Sequence, residues 1–124
     1  MKTIQFKQNG GSISVEVKAG NAQPGAYSLV LWEADYNKIL LKYEGNFINN
    51  DDDKYQLLDP AGLNNEKVLA CNAAFTITPP IRNYNLDLLV FQDGNEIGSD
   101  SYSGTTDSQT AVVQLFIKLE EETE

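Results

Sequence analysis

A run of acidic residues forms the densest group of potential metal ligands in the sequence. It consists of Asp51, Asp52 and Asp53. With Asn49 two residues upstream, the alternate spacing matches the start of an EF-hand loop, and clustered carboxylates supply the oxygen ligands that Ca²⁺ prefers. However, Lys54 stands where that loop requires glycine, and Pro60 stands where it requires a bidentate glutamate. The segment is therefore not an EF-hand. It predicts either a calcium site at the rim of the domain, completed by Asp35 or Asp93, or a solvated acidic loop.

Aromatic residues form the second group with binding potential. The sequence has one tryptophan and six tyrosines. Tyrosines in turns or at strand ends can stack on a sugar ring while neighbouring Asn and Asp bind its hydroxyls; the candidates are Tyr36, Tyr55, Tyr84 and Tyr102. The alternative is that these tyrosines suit β-strands and pack with their hydroxyls at the wet edge. For contact with a protein, we predict Trp32, Tyr36 and Phe91 as the partner-binding residues.

Histidine is absent and cysteine is nearly absent from the sequence. The sequence has no histidine and a single cysteine, Cys71, which excludes His-based triads, His metal sites, internal disulfides and Cys zinc clusters. Cys71 shares the apolar face of its strand with Leu69 and Phe75, so we expect a small buried hydrophobe with a raised pKa. Carboxylates are abundant, but no pair of them is singled out. We therefore expect the protein not to be an enzyme and to need no cofactor, calcium being the one possibility.

Net charge and hydropathy limit the kinds of partner that the chain can bind and the cellular compartment in which we expect it. The 124 residues include 18 Asp and Glu against 9 Lys and Arg, a net charge of −9, which argues against nucleic acid and anionic membrane surfaces. Apolar runs reach four or five residues, far short of a membrane span. The start, Met1–Gln8, alternates instead of forming a secretory signal. With one cysteine, this favours the cytoplasm, and an exported or trimmed mature form stays open.

The elements that would position these residues are β-strands. Apolar and polar residues alternate through most of the chain, and no segment has a sustained period of 3.6 residues. Two turn signals predict tight hairpins, Asn9-Gly10-Gly11 and Asp93-Gly94-Asn95. The longer connections Ala19–Gly25 and Pro79–Asn83 suit crossings between two sheets. We predict an all-β fold, an antiparallel β-sandwich of about eight strands, with a single domain over residues 1–119 and an acidic C-terminal tail over residues 120–124.

Trp32 carries a resemblance to a known fold type. It lies within the apolar strand that follows Pro24, which resembles the placement of the core tryptophan in immunoglobulin-like sandwiches. The paired cysteines of that pattern are absent here. The resemblance implies a sandwich that is immunoglobulin-like in general type.

Some strands are apolar on both faces, which a half-exposed strand should not be. They are Leu29–Trp32, Ile39–Leu41, Leu88–Phe91 and Leu115–Ile117. Either loops cover their outer faces, or the outer faces meet another protein and form a patch larger than monomers usually expose.

Three functions remain open from the residues. The favoured one is a non-enzymatic protein-binding or assembly module, binding a protein partner or itself, such as a small subunit or adaptor of a larger bacterial complex. The second is a ligand-binding module for calcium or carbohydrate, using the acidic loop and the rim tyrosines. The third is a small carboxylate-dependent hydrolase.

Overall fold

Nine β-strands make up most of the structure. A computed structural model describes residues 1–20, 23–47 and 53–122. The strands are β1 (Lys2–Phe6), β2 (Ile13–Gly20), β3 (Gly25–Trp32), β4 (Ile39–Asn46), β5 (Asp53–Gln56), β6 (Val68–Thr76), β7 (Asn83–Gln92), β8 (Asn95–Thr105) and β9 (Thr110–Glu121). In the described part of the chain, the one helix is the 3₁₀ turn Ala61–Asn64. No described helix has the length and apolar character to cross a membrane.

The strands form two sheets that pack face to face. The five-stranded sheet has the order β1-β9-β6-β3-β4, and the four-stranded sheet has the order β5-β2-β7-β8. Because side chains alternate between the faces of a strand, each sheet turns one apolar set toward the other sheet. β7 and β9 illustrate this alternation, with every second residue buried along nearly their whole lengths. The predicted all-β sandwich is confirmed, with nine strands in place of about eight.

The core lies between the sheets and takes buried residues from β1, β2, β3, β6, β7 and β9, and partly buried residues of β4, β5 and β8 pack against it. Its largest fully buried side chains are Phe6, Phe75, Ile13, Leu29, Leu31, Leu69, Leu86, Leu88, Ile117 and Leu119. The two longer connections cross between the sheets as predicted, since β2 and β3 belong to different sheets, and so do β6 and β7.

The first predicted hairpin is wrong. β1 pairs with β9 and β2 pairs with β5 and β7, so the Asn9-Gly10-Gly11 segment carries the chain from one sheet to the other. Gly10 N–H donates to the Lys7 carbonyl (3.1 Å), and neither Asn9 nor Gly10 has the positive φ of a type I′ turn. The buried amide of Gln92 holds the crossing: it accepts from Lys7 N–H (2.8 Å) and donates to the Lys7 and Gly11 carbonyls (2.7 and 3.0 Å).

The second predicted hairpin is confirmed. Gln92 pairs with Asn95 across a two-residue loop. Asp93 (φ 54°) and Gly94 (φ 78°) both have the left-handed conformation that a type I′ turn requires.

The chain ends add an unexpected parallel pair. β1 runs parallel to the last part of β9, from Lys2 opposite Ile117 to Phe6 opposite Glu121. β9 therefore extends two residues into the segment predicted as an acidic tail. The immunoglobulin-like type is not confirmed, because β9 pairs with β6 and β1, whereas the last two strands of an immunoglobulin sheet pair with each other.

Candidate functional site

The outer face of the five-stranded sheet, the side turned away from the core, carries two adjacent rows that are apolar except for a lysine at one end of each, Lys42 and Lys118. In one row, Phe116 of β9 is in register with Ala70 of β6, and Ala70 with Val30 of β3. In the next row, Val68 of β6 is in register with Trp32 of β3, which in turn pairs with Ile39 of β4. All of these side chains lie on the face opposite to the core positions of the same strands.

Three of the four strands predicted to be apolar on both faces contribute to this face. Val30 and Trp32 come from β3, Ile39 from β4 and Phe116 from β9. The fourth strand, β7, places Phe91 on the outer face of the other sheet, where it pairs with Ser14. Of the three predicted partner-binding residues, Trp32 and Tyr36 therefore lie together, and Phe91 lies on the opposite side of the molecule.

The centre of the outer face is buried without being part of the main core. Val30, Val68 and Ala70 are 6%, 2% and 1% exposed, yet they lie outside the cluster of core residues between the sheets. Trp32 and Phe116 stand in register with them in the same two rows. This face therefore has a small hydrophobic cluster of its own, with Trp32 and Phe116 at its sides.

The β3–β4 turn adds Tyr36 to this cluster. Tyr36 N–H donates to the Glu33 carbonyl (2.9 Å), and Glu33 N–H donates to the Lys38 carbonyl (2.9 Å), which closes a compact hairpin loop. Tyr36 then takes φ 62°, a left-handed conformation that is uncommon for a bulky residue. Its ring centroid lies 6.4 Å from that of Trp32, and its hydroxyl lies 3.9 Å from the sulfur of Met1.

Exposed apolar side chains concentrate on the outer face. Among the described residues, eight large hydrophobic side chains are exposed, and five of them lie on or over it: Met1, Tyr36, Ile39, Val112 and Phe116. The remaining three, Leu63, Ile81 and Tyr102, are scattered over the 3₁₀ turn, the β6–β7 connection and β8. Single exposed hydrophobics are ordinary, whereas a contiguous group marks an interaction surface.

Asn72 lies near the middle of the outer face with an unsatisfied acceptor. Its row contains Gln114, Ser28 and Glu44 on the neighbouring strands. The Asn72 Oδ1 atom is buried and has no hydrogen-bond donor among the described residues. A depression of about 360 Å³ lies beside it, with Ala26, Ala74 and Val112 in its lining. The face therefore offers a bound molecule a depression, while the neighbouring Oδ1 atom of Asn72 is enclosed by the protein.

The charges around the outer face balance in pairs. Lys42 contacts Glu44 (3.3 Å), and Lys118 contacts Glu120 (3.2 Å). At the ends of β6 and β3, Lys67 contacts Glu33 (3.2 Å). Although the chain has a net charge of −9, the lysines on this face are thus paired with carboxylates of the same face.

Sequence reasoning missed a buried carboxylate on the opposite sheet. Glu16 points outward from β2 and is 4% exposed. The amines of Lys18 and Lys54 lie 3.0 and 3.6 Å from its oxygens, and Lys54 also sits 5.2 Å from the centroid of the Phe91 ring. In the sequence, Glu16 alternates with Val15 and Val17 as any solvent-facing residue would, so only its cross-strand neighbours identify it as buried.

The other predicted site residues are dispersed or lie outside the described residues. Asp51 and Asp52 lie outside the described residues, and Asp53 begins β5 opposite Val17. Within the described part of the chain, no three acidic, cysteine or histidine side chains are grouped as metal ligands. The calcium site stays a prediction.

The rim tyrosines do not share one surface. Tyr55 stacks on Tyr43 (ring centroids 4.6 Å apart) and its hydroxyl contacts that of Tyr27. Tyr84 is buried against Tyr102 (6.1 Å) near the β7–β8 side. Burial is the main cause that raises the pKa of the Tyr84 phenol, followed by the neighbouring Tyr102. Carbohydrate binding stays a prediction, with Tyr36 on a different sheet from Tyr84 and Tyr102.

Cys71 lies in the core on the inward face of β6, with none of its surface exposed. Burial raises the pKa of its thiol to about 12. A thiol of this kind holds almost no thiolate at neutral pH, so it packs as a hydrophobe and is a poor nucleophile.

Comparison with known proteins identifies no relative of the chain. No protein-family model, no curated protein and no solved structure matches the chain.

Proposed function

We propose that the chain is a protein-binding module that assembles, in the first place with a second copy of itself, through the outer face of the five-stranded sheet. The observation that carries the proposal is the concentration of exposed apolar side chains on this one face, with Trp32, Ile39 and Phe116 in neighbouring rows. Burial of apolar surface is the main driving force of most protein association.

The dimensions of the face are compatible with a stable dimer. Five strands spaced about 4.8 Å apart and roughly nine residues long, at about 3.3 Å per residue, make a surface of roughly 700 Å². A standard interface takes about 800 Å² from each partner. A symmetric pair of such faces would stack as sheets do inside a sandwich.

The charges of this face are compatible with contact between two copies. Two copies that each carry a net charge of −9 repel one another. On the outer face, the lysines Lys42, Lys67 and Lys118 already neutralise adjacent carboxylates. Contact through this face therefore keeps the unbalanced negative charge of both copies on the outside of the assembly.

The test compares two isoleucines of nearly equal exposure. Ile39 lies on the outer face and is 45% exposed, and Ile81 lies off it and is 49% exposed. Multi-angle light scattering over micromolar to millimolar concentrations should show an oligomer for the wild type. Ile39→Lys should weaken the association about tenfold or more, because a buried ammonium costs at least about 1.4 kcal/mol. Ile81→Lys should leave it unchanged.

A wild-type chain that stays monomeric at millimolar concentration would contradict assembly through this face. Equal losses in the two lysine variants would also contradict it, because they would point to a general effect of charge.

A further inference from the structure

Half of β9 is an uncovered sheet edge. β1 pairs only with Ile117–Glu121, whereas β9 begins at Thr110. The segment 110–116, called the β9 edge below, pairs with β6 on one side. No described strand is hydrogen-bonded to its other side, where β8 passes nearby without pairing. Alternate backbone N–H and C=O groups of this segment therefore point away from the sheet without a strand partner.

The β9 edge lacks the charges that normally protect an edge. Natural edge strands carry lysines, other charges, prolines or bulges, which discourage the addition of another strand. Residues 108–117 contain no charged residue, no proline and no glycine. Every other edge strand has a charge: Lys2 in β1, Lys42 and Glu44 in β4, Asp53 and Lys54 in β5, and Glu96 and Asp100 in β8. The β9 edge thus has the composition of a strand covered on both sides, like the central strands β3 and β6.

A cavity lies at the end of this edge, next to the start of β1. It measures about 490 Å³ and is lined by Met1, Tyr36, Asp100, Gln114, Leu115 and Phe116. Most of this lining is apolar, and it would hold a large hydrophobic side chain.

Asp100 contributes a carboxylate from β8, where it pairs with Leu88 and so lies on the inward side of that strand. It accepts from Ser101 N–H (3.0 Å) and has no ion pair among the described residues.

We propose that the β9 edge binds an extended peptide that carries apolar and cationic residues in alternation, added to the five-stranded sheet as a sixth strand. Main-chain hydrogen bonds to the β9 edge supply affinity, and pockets for alternate side chains supply specificity. The apolar side chains lie beside Val112 and Phe116, with one of them in the cavity. A Lys or Arg on the opposite side of the peptide meets Asp100.

A second copy of the chain suits this edge less well. Its own β9 edge has no cation to offer Asp100, and it brings another net charge of −9. A cationic peptide gains from the same charges through an attractive field. This site shares Val112 and Phe116 with the outer face, but it also needs the strand edge and Asp100 and does not involve Trp32 or Ile39, so the two proposals can be tested separately.

The test uses three acetylated, amidated heptapeptides and the full-length protein. The first is KVKFKVK, the second is EVEFEVE, and the third is KVKFKVK with an N-methyl group on each of its seven residues. The third keeps the side chains but lacks backbone donors. Amide hydrogen exchange, followed by NMR, reports on each residue of the β9 edge.

We expect KVKFKVK to slow exchange within residues 110–116 and to bind at least tenfold tighter than EVEFEVE. The N-methylated peptide should not slow exchange there. Asp100→Asn should reduce the preference for KVKFKVK over EVEFEVE severalfold without changing the melting temperature much, because Asp100 is partly exposed. The Ile39→Lys variant should bind KVKFKVK like the wild type.

Several results would overturn the proposal. The first is an absence of protection at residues 110–116 with any of the peptides. The second is equal binding of the cationic and anionic peptides. The third is protection of the same residues in the protein alone that rises with its concentration, which would assign the edge to a second copy. Loss of KVKFKVK binding in Ile39→Lys would assign the peptide to the outer face.

Discussion

Asn64 and Asn72 show how differently one type of side chain can be placed in this sandwich. The Asn64 side chain is fully buried and makes three hydrogen bonds, with Leu58 N–H and with the Leu58 and Ala61 carbonyls, at 2.9–3.1 Å. It closes the loop that leads into the 3₁₀ turn. The buried Oδ1 of Asn72 has no donor in the described structure. The first asparagine therefore stabilises the fold, and the second has a polar atom that the fold itself does not use.

Removing the two amides should change stability in opposite directions. Asn64→Ala should lower the free energy of unfolding by about 2–3 kcal/mol, because it leaves buried backbone groups unpaired. Asn72→Val should raise it by about 1 kcal/mol, because it removes an unsatisfied acceptor and valine suits a strand. Urea unfolding of both variants measures the difference. A clear loss of stability in Asn72→Val would mean that its Oδ1 is satisfied by water in solution.

At the scale of elements, β2 and β5 are joined by a buried charge. Glu16 lies opposite Lys54 in the β2–β5 ladder and opposite Leu89 in the β2–β7 ladder. Lys18 and Lys54 both reach its carboxylate, and each lysine keeps about half of its side chain exposed. A buried carboxylate is tolerated when it is paired, and its pairing here holds the short strand β5 at the edge of the four-stranded sheet.

The double variant Lys18→Ala and Lys54→Ala should destabilise the protein by about 3 kcal/mol, because it leaves the buried carboxylate of Glu16 without a cationic partner. Adding Glu16→Leu to this background should recover most of the loss, because leucine beside Leu89 and Phe91 needs no partner. Chemical denaturation of the three proteins measures the cycle. Lys42→Ala is the control: it breaks the exposed pair with Glu44 and should cost less than about 1 kcal/mol. A triple variant no more stable than the double variant would show that the stability resides in the lysine side chains.

For the whole molecule, the decisive feature is the mismatch between net charge and local charge. The chain carries −9 overall, while the lysines on or beside the outer face pair with nearby carboxylates. Repulsion between two copies is then a long-range effect of the entire surface, whereas their attraction is a short-range effect of one face. Salt screens the repulsion between the copies, whereas it does not weaken the attraction between their apolar surfaces.

The proposed self-association should therefore tighten with salt. Raising sodium chloride from low concentration to several hundred millimolar should lower the dissociation constant by roughly tenfold, or about 1.4 kcal/mol. Sedimentation equilibrium at both salt concentrations measures the change. A weaker association at high salt would mean that ion pairs across the interface, not apolar burial, hold the copies together.

Local patterns in the sequence were enough to predict where most strands lie and which face of a strand is buried. Period-2 alternation assigned Leu69, Cys71 and Phe75 to the core face of β6, and burial in the structure agrees. Asp93-Gly94 formed the expected hairpin because the strands on either side also pair with each other. The crossing connections followed from their length and turn-forming residues. These features depend on neighbours a few residues away, which a single sequence displays directly.

Strand pairing and the composition of surfaces were decided only by the tertiary structure. The same kind of turn signal at Asn9-Gly10 produced no hairpin, because β1 found its partner in β9, more than a hundred residues away. That choice left the β9 edge half covered. It also took tertiary structure to align Val30, Trp32, Ile39 and Phe116 on one face, to separate Phe91 from them and to bury Glu16. The physical reason is that hydrogen-bond ladders join residues distant in the chain, and alternation assigns a residue to a face without saying which strand lies beside it.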